Sequence, residues 1–371
     1  MDTRAGTWTH RLVRLIALAG MLALAGCSST APTAPTALIG PCGPALVYPD
    51  YAWSPDGSRI AFIISTSLQN APAPNIFAMN ADGKQLRQLT TAGDPVTASW
   101  SPDGRWIVFA SNGPRNIPRL YVINPDGSGQ TALMQPTQNG YLPAWSPDGT
   151  HIAYKSYQSL EGMNMALMMM AADGSDQTVL VGGSNIPGSF AWSPDGKRIA
   201  FVRMRMGNLE EIDTVDVAAQ AVTTLASLGA VNVSLGGWSP DGRLIVYEND
   251  DMGGIYTIAS DGSGQPKLLA GSNKEHTPSW SPDGRRILFE AWTDGSHFEL
   301  YTMNPDGSAI SRLTTGTLNN TSGEWSPDGR RIVFTSERDG APDLYVMNSD
   351  GSHQTRLTLN PASQRCLQWP F

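Results

Sequence analysis

The chain has 371 residues, with 25 lysines and arginines against 33 aspartates and glutamates, and a formal net charge of −8. Its hydrophobic content of 40% and charged content of 16% exclude a disordered acidic chain and a coiled coil. The 38 glycines and 27 prolines indicate a turn-rich, all-β protein. The acidic balance argues against a nucleic-acid partner, because such binding depends on lysine and arginine. No phosphate loop or dinucleotide fingerprint occurs, so no cofactor is expected.

The first 26 residues have the pattern of an export signal. Arg4, Arg11 and Arg14 precede an apolar run over residues 15–25. A run of this length is too short for a helix that crosses a membrane, which needs about 20 residues. We therefore expect residues 1–26 to be a signal peptide that does not belong to the fold.

The end of this segment, Leu24-Ala25-Gly26-Cys27, resembles the lipobox of bacterial lipoproteins. The resemblance implies that Cys27 is acylated and becomes the first residue of the mature chain, which would anchor it to a membrane of the cell envelope. Residues 27–44, rich in Ser, Thr, Pro and Ala, then form a tether to a domain facing the periplasm or the cell exterior. The alternative is an ordinary cleavable signal in which Cys27 is incidental.

Two further cysteines flank the rest of the chain, Cys42 before its repeats and Cys366 after them. An exported protein is in a compartment that permits disulfides. We predict a Cys42–Cys366 bridge that clasps the two ends of the domain; two free thiols are the alternative.

A five-residue motif, Trp-Ser-Pro-Asp-Gly, divides the chain into equal units. The motif recurs with spacings of 47, 45, 47, 46, 42 and 45 residues, beginning at Trp53, Trp100, Trp145, Trp192, Trp238, Trp280 and Trp325. This period is typical of β-propeller blades with four strands each. A second Asp-Gly turn, absent only from the fourth unit, precedes the last strand of each blade.

These repeats resemble the WD-like propeller repeats of the TolB type, which also occur in the propellers of prolyl-oligopeptidase-family enzymes. The resemblance covers residues 45–371 and implies a single β-propeller, with seven blades of four antiparallel strands. An eight-bladed ring ranks second, because Trp369 begins a further inner strand that the sequence does not complete. The resemblance does not carry over a role in the Tol–Pal complex, since TolB has an extra α/β domain before its propeller.

The propeller geometry separates two faces. The tight Ser-Pro-Asp-Gly and Asp-Gly turns share one face, here the turn face, and the longer, variable connections share the other, the loop face. Variable loops on a rigid scaffold commonly determine binding. The candidate binding residues on the loop face are Asp94, Asn139, Tyr141, Asn185, Asn232, His276, Trp292, His297, Asn319 and Arg338.

Two classes of function remain open from the sequence. The first is a non-catalytic binding platform for an envelope protein, a peptide or a glycan. The second is a metal-dependent polysaccharide lyase or hydrolase with His276 and His297 as metal ligands, by similarity to oligogalacturonate lyases with related repeats. A weaker hypothesis is a Cu(I) site built from methionines of two neighbouring blades, such as Met165 and Met204.

Overall fold

The computed structural model describes residues 46–47, 50–66, 74–91, 93, 95–112, 117–135, 137–157, 165–182, 186, 188–205, 209–229, 232–251, 253–272, 275–293 and 296–359. These residues form seven four-stranded antiparallel sheets arranged as a β-propeller, as the repeats predict. Each sheet takes its strands consecutively from the chain, so within the described ranges no blade borrows a strand from another. No helix in these ranges is long and apolar enough to span a membrane.

The innermost strand of each blade ends at the repeated tryptophan: β2 (Tyr51–Trp53), β6 (Pro95–Trp100), β10 (Tyr141–Trp145), β14 (Phe190–Trp192), β18 (Val233–Trp238), β22 (Glu275–Trp280) and β26 (Asn320–Trp325). A short additional strand, β1 (Leu46–Val47), extends the inner edge of the first blade. The second strands are the most apolar: β3 (Arg59–Thr66), β7 (Ile107–Asn112), β11 (His151–Tyr157), β15 (Arg198–Arg205), β19 (Leu244–Asn249), β23 (Ile287–Thr293) and β27 (Arg331–Ser336).

The third strands follow across the loop face: β4 (Asn75–Asn80), β8 (Pro118–Ile123), β12 (Met165–Ala171), β16 (Leu209–Asp216), β20 (Ile255–Ala259), β24 (His297–Met303) and β28 (Asp343–Asn348). The outer strands are short: β5 (Arg87–Gln88), β9 (Thr131–Ala132), β13 (Thr178–Val181), β17 (Val222–Ser227), β21 (Lys267–Ala270), β25 (Ser311–Arg312) and β29 (Thr355–Arg356).

The repeated turn is held by its own side chains. In the first blade, Ser54 Oγ donates to Asp56 Oδ1 at 2.6 Å and accepts from the Arg59 N–H at 2.9 Å. Hydrogen bonds from the Ser54 hydroxyl and from the N–H and hydroxyl of Ser58 lower the pKa of Asp56 to about 2. Gly57 closes the turn with a φ of +65°, a conformation that residues with a Cβ adopt at a cost. The turn therefore accounts for the Ser, Asp and Gly of the motif.

The core lies between the blades. Seven apolar clusters are present, one at each junction of two neighbouring blades. Phe62 and Phe334 are fully buried in two of them, and burying one such side chain contributes about 1.5–3 kcal/mol. Because no sheet can bury both of its faces alone, the closed ring is the arrangement that removes this apolar surface from water.

The repeated tryptophan also joins the blades through its ring nitrogen. Trp100 Nε1 donates to the Ala52 carbonyl of the preceding blade at 3.1 Å. The same bond joins Trp192 to Ala144 and Trp238 to Ala191. Trp53 closes the ring in the same way, with Nε1 donating to the Glu324 carbonyl at 3.4 Å. The junction between the last and first blades thus has the same bond as three of the junctions inside the ring.

Candidate functional site

Two carboxyl groups stand at the inner edge where the last blade meets the first. Glu324 directly precedes Trp325, and the equivalent residue in every other blade is Ala, Ser or Gly. Its Oε1 accepts from the Trp53 N–H at 3.5 Å, and Asp50 Oδ2 accepts from the Ala98 N–H at 2.7 Å. Burial raises the pKa of Asp50 to about 7. Burial, with the charge of Asp50, raises the pKa of Glu324 to about 8.

Two more carboxylates continue this row through the preceding blades. Glu248 and Glu290 each lie ten residues after their tryptophan, on β19 and β23, and are 8% and 6% exposed. Glu248 Oε2 accepts from the Thr277 N–H, and Glu290 Oε1 accepts from the Ser322 N–H at 3.1 Å. Each acid therefore reaches the inner strand of the next blade. We call Asp50, Glu248, Glu290 and Glu324 the acidic arc; it spans four consecutive blades.

Burial also raises the pKa of a further acid of the arc. The pKa of Glu290 is raised, first by burial, while the Thr277 hydroxyl and the Ser322 N–H oppose the shift. The equivalent second-strand residue in the third blade is Lys155, whose pKa burial lowers to about 8. Its Nζ donates to the Gly188 carbonyl of the next blade. The charged residues at this position, Lys155, Glu248 and Glu290, thus each bond to the backbone of the next blade.

His276 lies next to the arc on the loop face. Its Nδ1 is 3.4 Å from Asp250 Oδ1 and 4.0 Å from Glu248 Oε2. The hydrogen bond to Asp250 is the largest cause of a raised pKa for His276; burial opposes it and Glu248 supports it. These three side chains form a group whose metal-ligating atoms all lie within 4.8 Å of one another.

A β-bulge sets the direction of these side chains. The register between β22 and β23 shifts between His276 and Ser279, and Thr277 has a φ of +50°. A β-branched residue rarely adopts a positive φ. The residues at the equivalent position in two other blades, Leu142 and Ser322, also have a positive φ, and the register shifts there in the same way. Bulges turn side chains and backbone groups out of the regular alternation, and here the bulge presents the Thr277 N–H to Glu248.

Three of the candidates predicted from the sequence meet at Phe298, which the prediction did not include. The rings of His276 and Trp292 pack edge to face on Phe298, with centroids 5.6 Å and 4.6 Å away. Asn319 Oδ1 accepts from the Phe298 N–H at 3.0 Å. The half-buried aromatic rings therefore lie beside the carboxylates that face His276.

The other predicted candidates lie elsewhere on the loop face. Tyr141 packs edge to face on Tyr157, at 5.1 Å, and Asn139 Oδ1 accepts from the Tyr157 N–H at 2.7 Å. Asn232 Nδ2 is 3.5 Å from Asp251 Oδ1. Arg338 donates to Asn320 Oδ1 at 2.9 Å. Asp94 and Asn185 lie outside the described residues, as do Cys27, Cys42, Cys366 and Trp369, so the anchor and the disulfide stay predictions.

His297, predicted as a metal ligand, belongs to a buried network of the sixth blade. Its Nε2 is 3.2 Å from Glu299 Oε1, and its Nδ1 is 2.7 Å from Ser296 Oγ. Glu299 also accepts from Arg312 Nη2 at 2.9 Å and from Thr314. His297 is not part of the three-residue group around His276. For the methionine hypothesis, Met165 and Met204 lie on β12 and β15, in the third and fourth blades.

The acidic arc was missed in the sequence, although a signal for it exists. Aligning the blades on their tryptophans places Glu248 and Glu290 at a position that holds Ile63, Ala110, Lys155, Val202 and Thr335 in the other blades. The same alignment shows Glu324 as the one large, charged residue at its position. A charged residue at a position that is small or apolar in most other blades indicates a special environment.

A family model described as the TolB beta propeller domain matches residues 112–290 and 267–369, more than half of the chain. The chain belongs to the TolB beta-propeller family. The Tol-Pal system protein TolB of Alcanivorax borkumensis is 31% identical over 75 residues, covering 20% of this chain and 17% of that protein. The TolB homolog of Chlorobium luteolum is 33% identical over 106 residues, covering 28% and 23%. The matches thus span less than a quarter of these TolB relatives.

Solved structures show the same fold. TolB from Acinetobacter baumannii superposes with a TM-score of 0.52 at 19% identity, over 77% of each chain. An oligogalacturonate lyase from Vibrio parahaemolyticus gives 0.61 at 15% identity, over 83% of this chain and 90% of that one. The propeller domain of the Trilobed protease from Pyrococcus furiosus, described as having an open velcro topology, gives 0.64 at 11% identity, over 89% and 100%. At these identities the likeness shows the fold alone.

Proposed function

We propose that this protein is an exported, lipid-anchored β-propeller that binds another protein of the bacterial envelope and performs no catalysis. The observation that carries the proposal is the acidic arc, Asp50, Glu248, Glu290 and Glu324, at the inner edge of four consecutive blades. Burial disfavours the ionised forms of these acids, and a lysine or arginine of a partner that reaches them stabilises those forms.

The loop face beside the arc supplies the rest of a protein-binding surface. Trp292, Phe298 and His276 form a half-buried aromatic group, and aromatic side chains are enriched in the centres of protein interfaces. Aromatic rings next to carboxylates also attract cationic side chains. A peptide or a glycan would use the same face, but the buried acids favour a partner that brings positive charge to them, which a neutral glycan lacks.

The proposed location rests on the amino-terminal segment and on the family. Residues 1–26 have the pattern of an export signal, and Cys27 stands where lipoproteins are acylated. The TolB relatives are named as components of a Tol-Pal system. Location in the bacterial envelope, with the propeller held near a membrane by its tether, agrees with both.

Site-specific photo-cross-linking in intact cells tests the proposal. A photoreactive amino acid at Trp292 or Asn319, on the loop face, is expected to give a defined protein adduct. The same probe at Arg105 or Lys197, both exposed on the turn face, is the matched control and gives none. The combined Asp50→Asn and Glu324→Gln changes are expected to reduce the adduct. Equal cross-linking from both faces, or no adduct from the loop face, contradicts the proposal.

The second candidate function is a metal-dependent polysaccharide lyase or hydrolase. The observation that favours it is the group of His276, Glu248 and Asp250, on a fold shared with oligogalacturonate lyase. His297, the other expected ligand, is held by Glu299 and Ser296 instead. Incubation with oligogalacturonate and other acidic polysaccharides, with added Mn²⁺ or Zn²⁺, separates the two functions. Turnover that His276→Gln abolishes would replace the binding-platform proposal.

A further inference from the structure

The group around His276 brings together three side chains from two blades. Glu248 ends the apolar part of β19, Asp250 follows in the connection after that strand, and His276 is the second residue of β22 in the next blade. Their ligating atoms lie within 4.8 Å of one another, with His276 Nδ1 at 3.4 Å from Asp250 Oδ1. The side chains of His276 and Asp250 are 31% and 24% exposed and that of Glu248 is 10% exposed, so the group lies at the loop face, with Asp250 Oδ1 itself enclosed.

The donor atoms and their spacing suit a transition metal. An imidazole nitrogen with carboxylate oxygens is a donor set of Zn²⁺ and related ions, whereas Ca²⁺ and Mg²⁺ take oxygens. Two ligands on bonds of about 2.0–2.1 Å at a tetrahedral angle lie about 3.4 Å apart. This equals the distance between His276 Nδ1 and Asp250 Oδ1. Glu248 Oε2 lies 4.0 Å from Nδ1, and all three ligating atoms lie within 4.8 Å of one another, so Glu248 has to move inward to complete the site.

The surroundings hold these ligands in place. Phe298 packs on the His276 ring at an interplanar angle of 77°, and the Thr277 N–H holds Glu248. Neighbours that orient metal ligands in this way raise the affinity of a site. A neutral imidazole with two carboxylates also has a charge of −2, which a divalent ion neutralises.

We infer that Glu248, Asp250 and His276 bind one first-row transition-metal ion, with zinc the best fit, between the fifth and sixth blades. The three side chains leave a fourth coordination position for water or for a group of a partner. The ion ties together two blades at a junction where Trp280 Nε1 lacks the bond to the preceding blade that Trp238 makes. The site shares Glu248 and His276 with the proposed partner surface, but binding of the ion needs no partner, because all three ligands belong to this chain.

Metal titration of the full chain tests the inference. After dialysis against a chelator, the protein is titrated with Zn²⁺ by calorimetry and with Co²⁺ by visible absorption, which reports coordination geometry. We expect one equivalent of each ion, and a visible spectrum with the intensity of a four-coordinate site. His276→Gln and Asp250→Asn are each expected to weaken Zn²⁺ binding by at least about 100-fold. His353→Gln, an exposed histidine on the turn face, is the matched control and binds as the wild type does.

Thermal unfolding supplies a second measurement. Zn²⁺ is expected to raise the Tm of the wild type and of His353→Gln but not of His276→Gln, because an ion that binds only the folded state stabilises it. Asp250 lies in a connection, so its variant tests the site even if His276→Gln does not fold. Absence of stoichiometric binding, binding that survives His276→Gln and Asp250→Asn, or equal binding of Ca²⁺ overturns the inference. None of these outcomes depends on the envelope partner, so the two proposals fail separately.

Discussion

The carboxyl groups of Asp50 and Glu324 repel each other across the junction of the first and last blades, and this repulsion helps to raise the pKa of Glu324. Asp50 also accepts a backbone hydrogen bond from the second blade, and Glu324 accepts one from the first. The two acids therefore link three consecutive blades while destabilising each other when both are ionised. Such a pair is tolerated most easily when it binds a proton or a positively charged partner.

The raised pKa values of these two acids predict that the stability of the protein depends on pH. The pKa is raised to about 7 for Asp50 and to about 8 for Glu324, whereas the unfolded chain has ordinary values near 4. The folded protein therefore binds more protons than the unfolded chain between about pH 4 and pH 8. Its free energy of unfolding falls as pH rises through that range. Urea unfolding at several pH values is the measurement.

The variant Glu324→Gln is expected to flatten this dependence and to be more stable than the wild type by several kcal/mol near pH 8, because the unfolded wild type gains the free energy of ionising this acid. The glutamine oxygen still accepts from the Trp53 N–H, so the backbone contact stays. Glu337→Gln, in the same blade but outside the arc, is the control and keeps the slope of the wild type. A Glu324→Gln variant with an unchanged slope would show that this acid is ionised in the folded state.

Two adjacent arginines of the last blade should differ in their effect on stability, because Arg331 contacts the first blade and Arg330 is exposed. The Arg331 guanidinium lies 4.9 Å from the centre of the Trp53 ring, and its Nη2 donates to the Gly57 carbonyl at 2.9 Å. Arg331→Ala removes both contacts between the last and first blades and is expected to destabilise the protein by about 1–2 kcal/mol. Arg330→Ala, exposed one residue earlier, is expected to change stability by less than about 0.5 kcal/mol. Equal unfolding midpoints for the two variants would contradict this account of closure.

In three blades a Leu-Thr pair follows the outer strand, at Leu89-Thr90, Leu313-Thr314 and Leu357-Thr358, and a conservative change can test its structural role. Thr314 Oγ1 accepts from the Leu300 N–H at 3.0 Å and donates to Glu299. Thr90 and Thr358 accept in the same way in other blades. Thr314→Val keeps the shape but leaves buried groups unsatisfied, so a loss of about 2–3 kcal/mol in chemical unfolding is expected. Thr315→Val, at an exposed neighbour, serves as the control and should be close to neutral.

Substitution of Cys27 tests the predicted lipid anchor. Cys27→Ser is expected to abolish incorporation of labelled palmitate and to move the protein from the membrane to the soluble fraction of the envelope. Cys42→Ser removes a thiol from the same segment and should leave both properties unchanged. Palmitate labelling that persists in Cys27→Ser would show that the anchor is elsewhere.

The amino-acid sequence by itself determined the blade and its number of copies. The period of the tryptophans and the Ser-Pro-Asp-Gly turns depend on local backbone conformation and on hydrogen bonds between residues a few positions apart, as between Ser54 and Asp56. Such local preferences can be recognised without knowing the rest of the fold. The sequence also placed His276, Trp292 and Asn319 on one face, since strand order assigns each connection to a face.

Only the tertiary structure decided which of these side chains meet. Glu324 contacts Trp53, and His276 faces Glu248 and Asp250, because closing the ring brings neighbouring blades together at their inner edges. It also separated His276 from His297, two histidines of one blade, by engaging the second with Glu299. Contacts between blades depend on twist, bulges and the direction of each side chain. The repeat pattern contains none of these, so the acidic arc emerges only when the seven sheets are packed together.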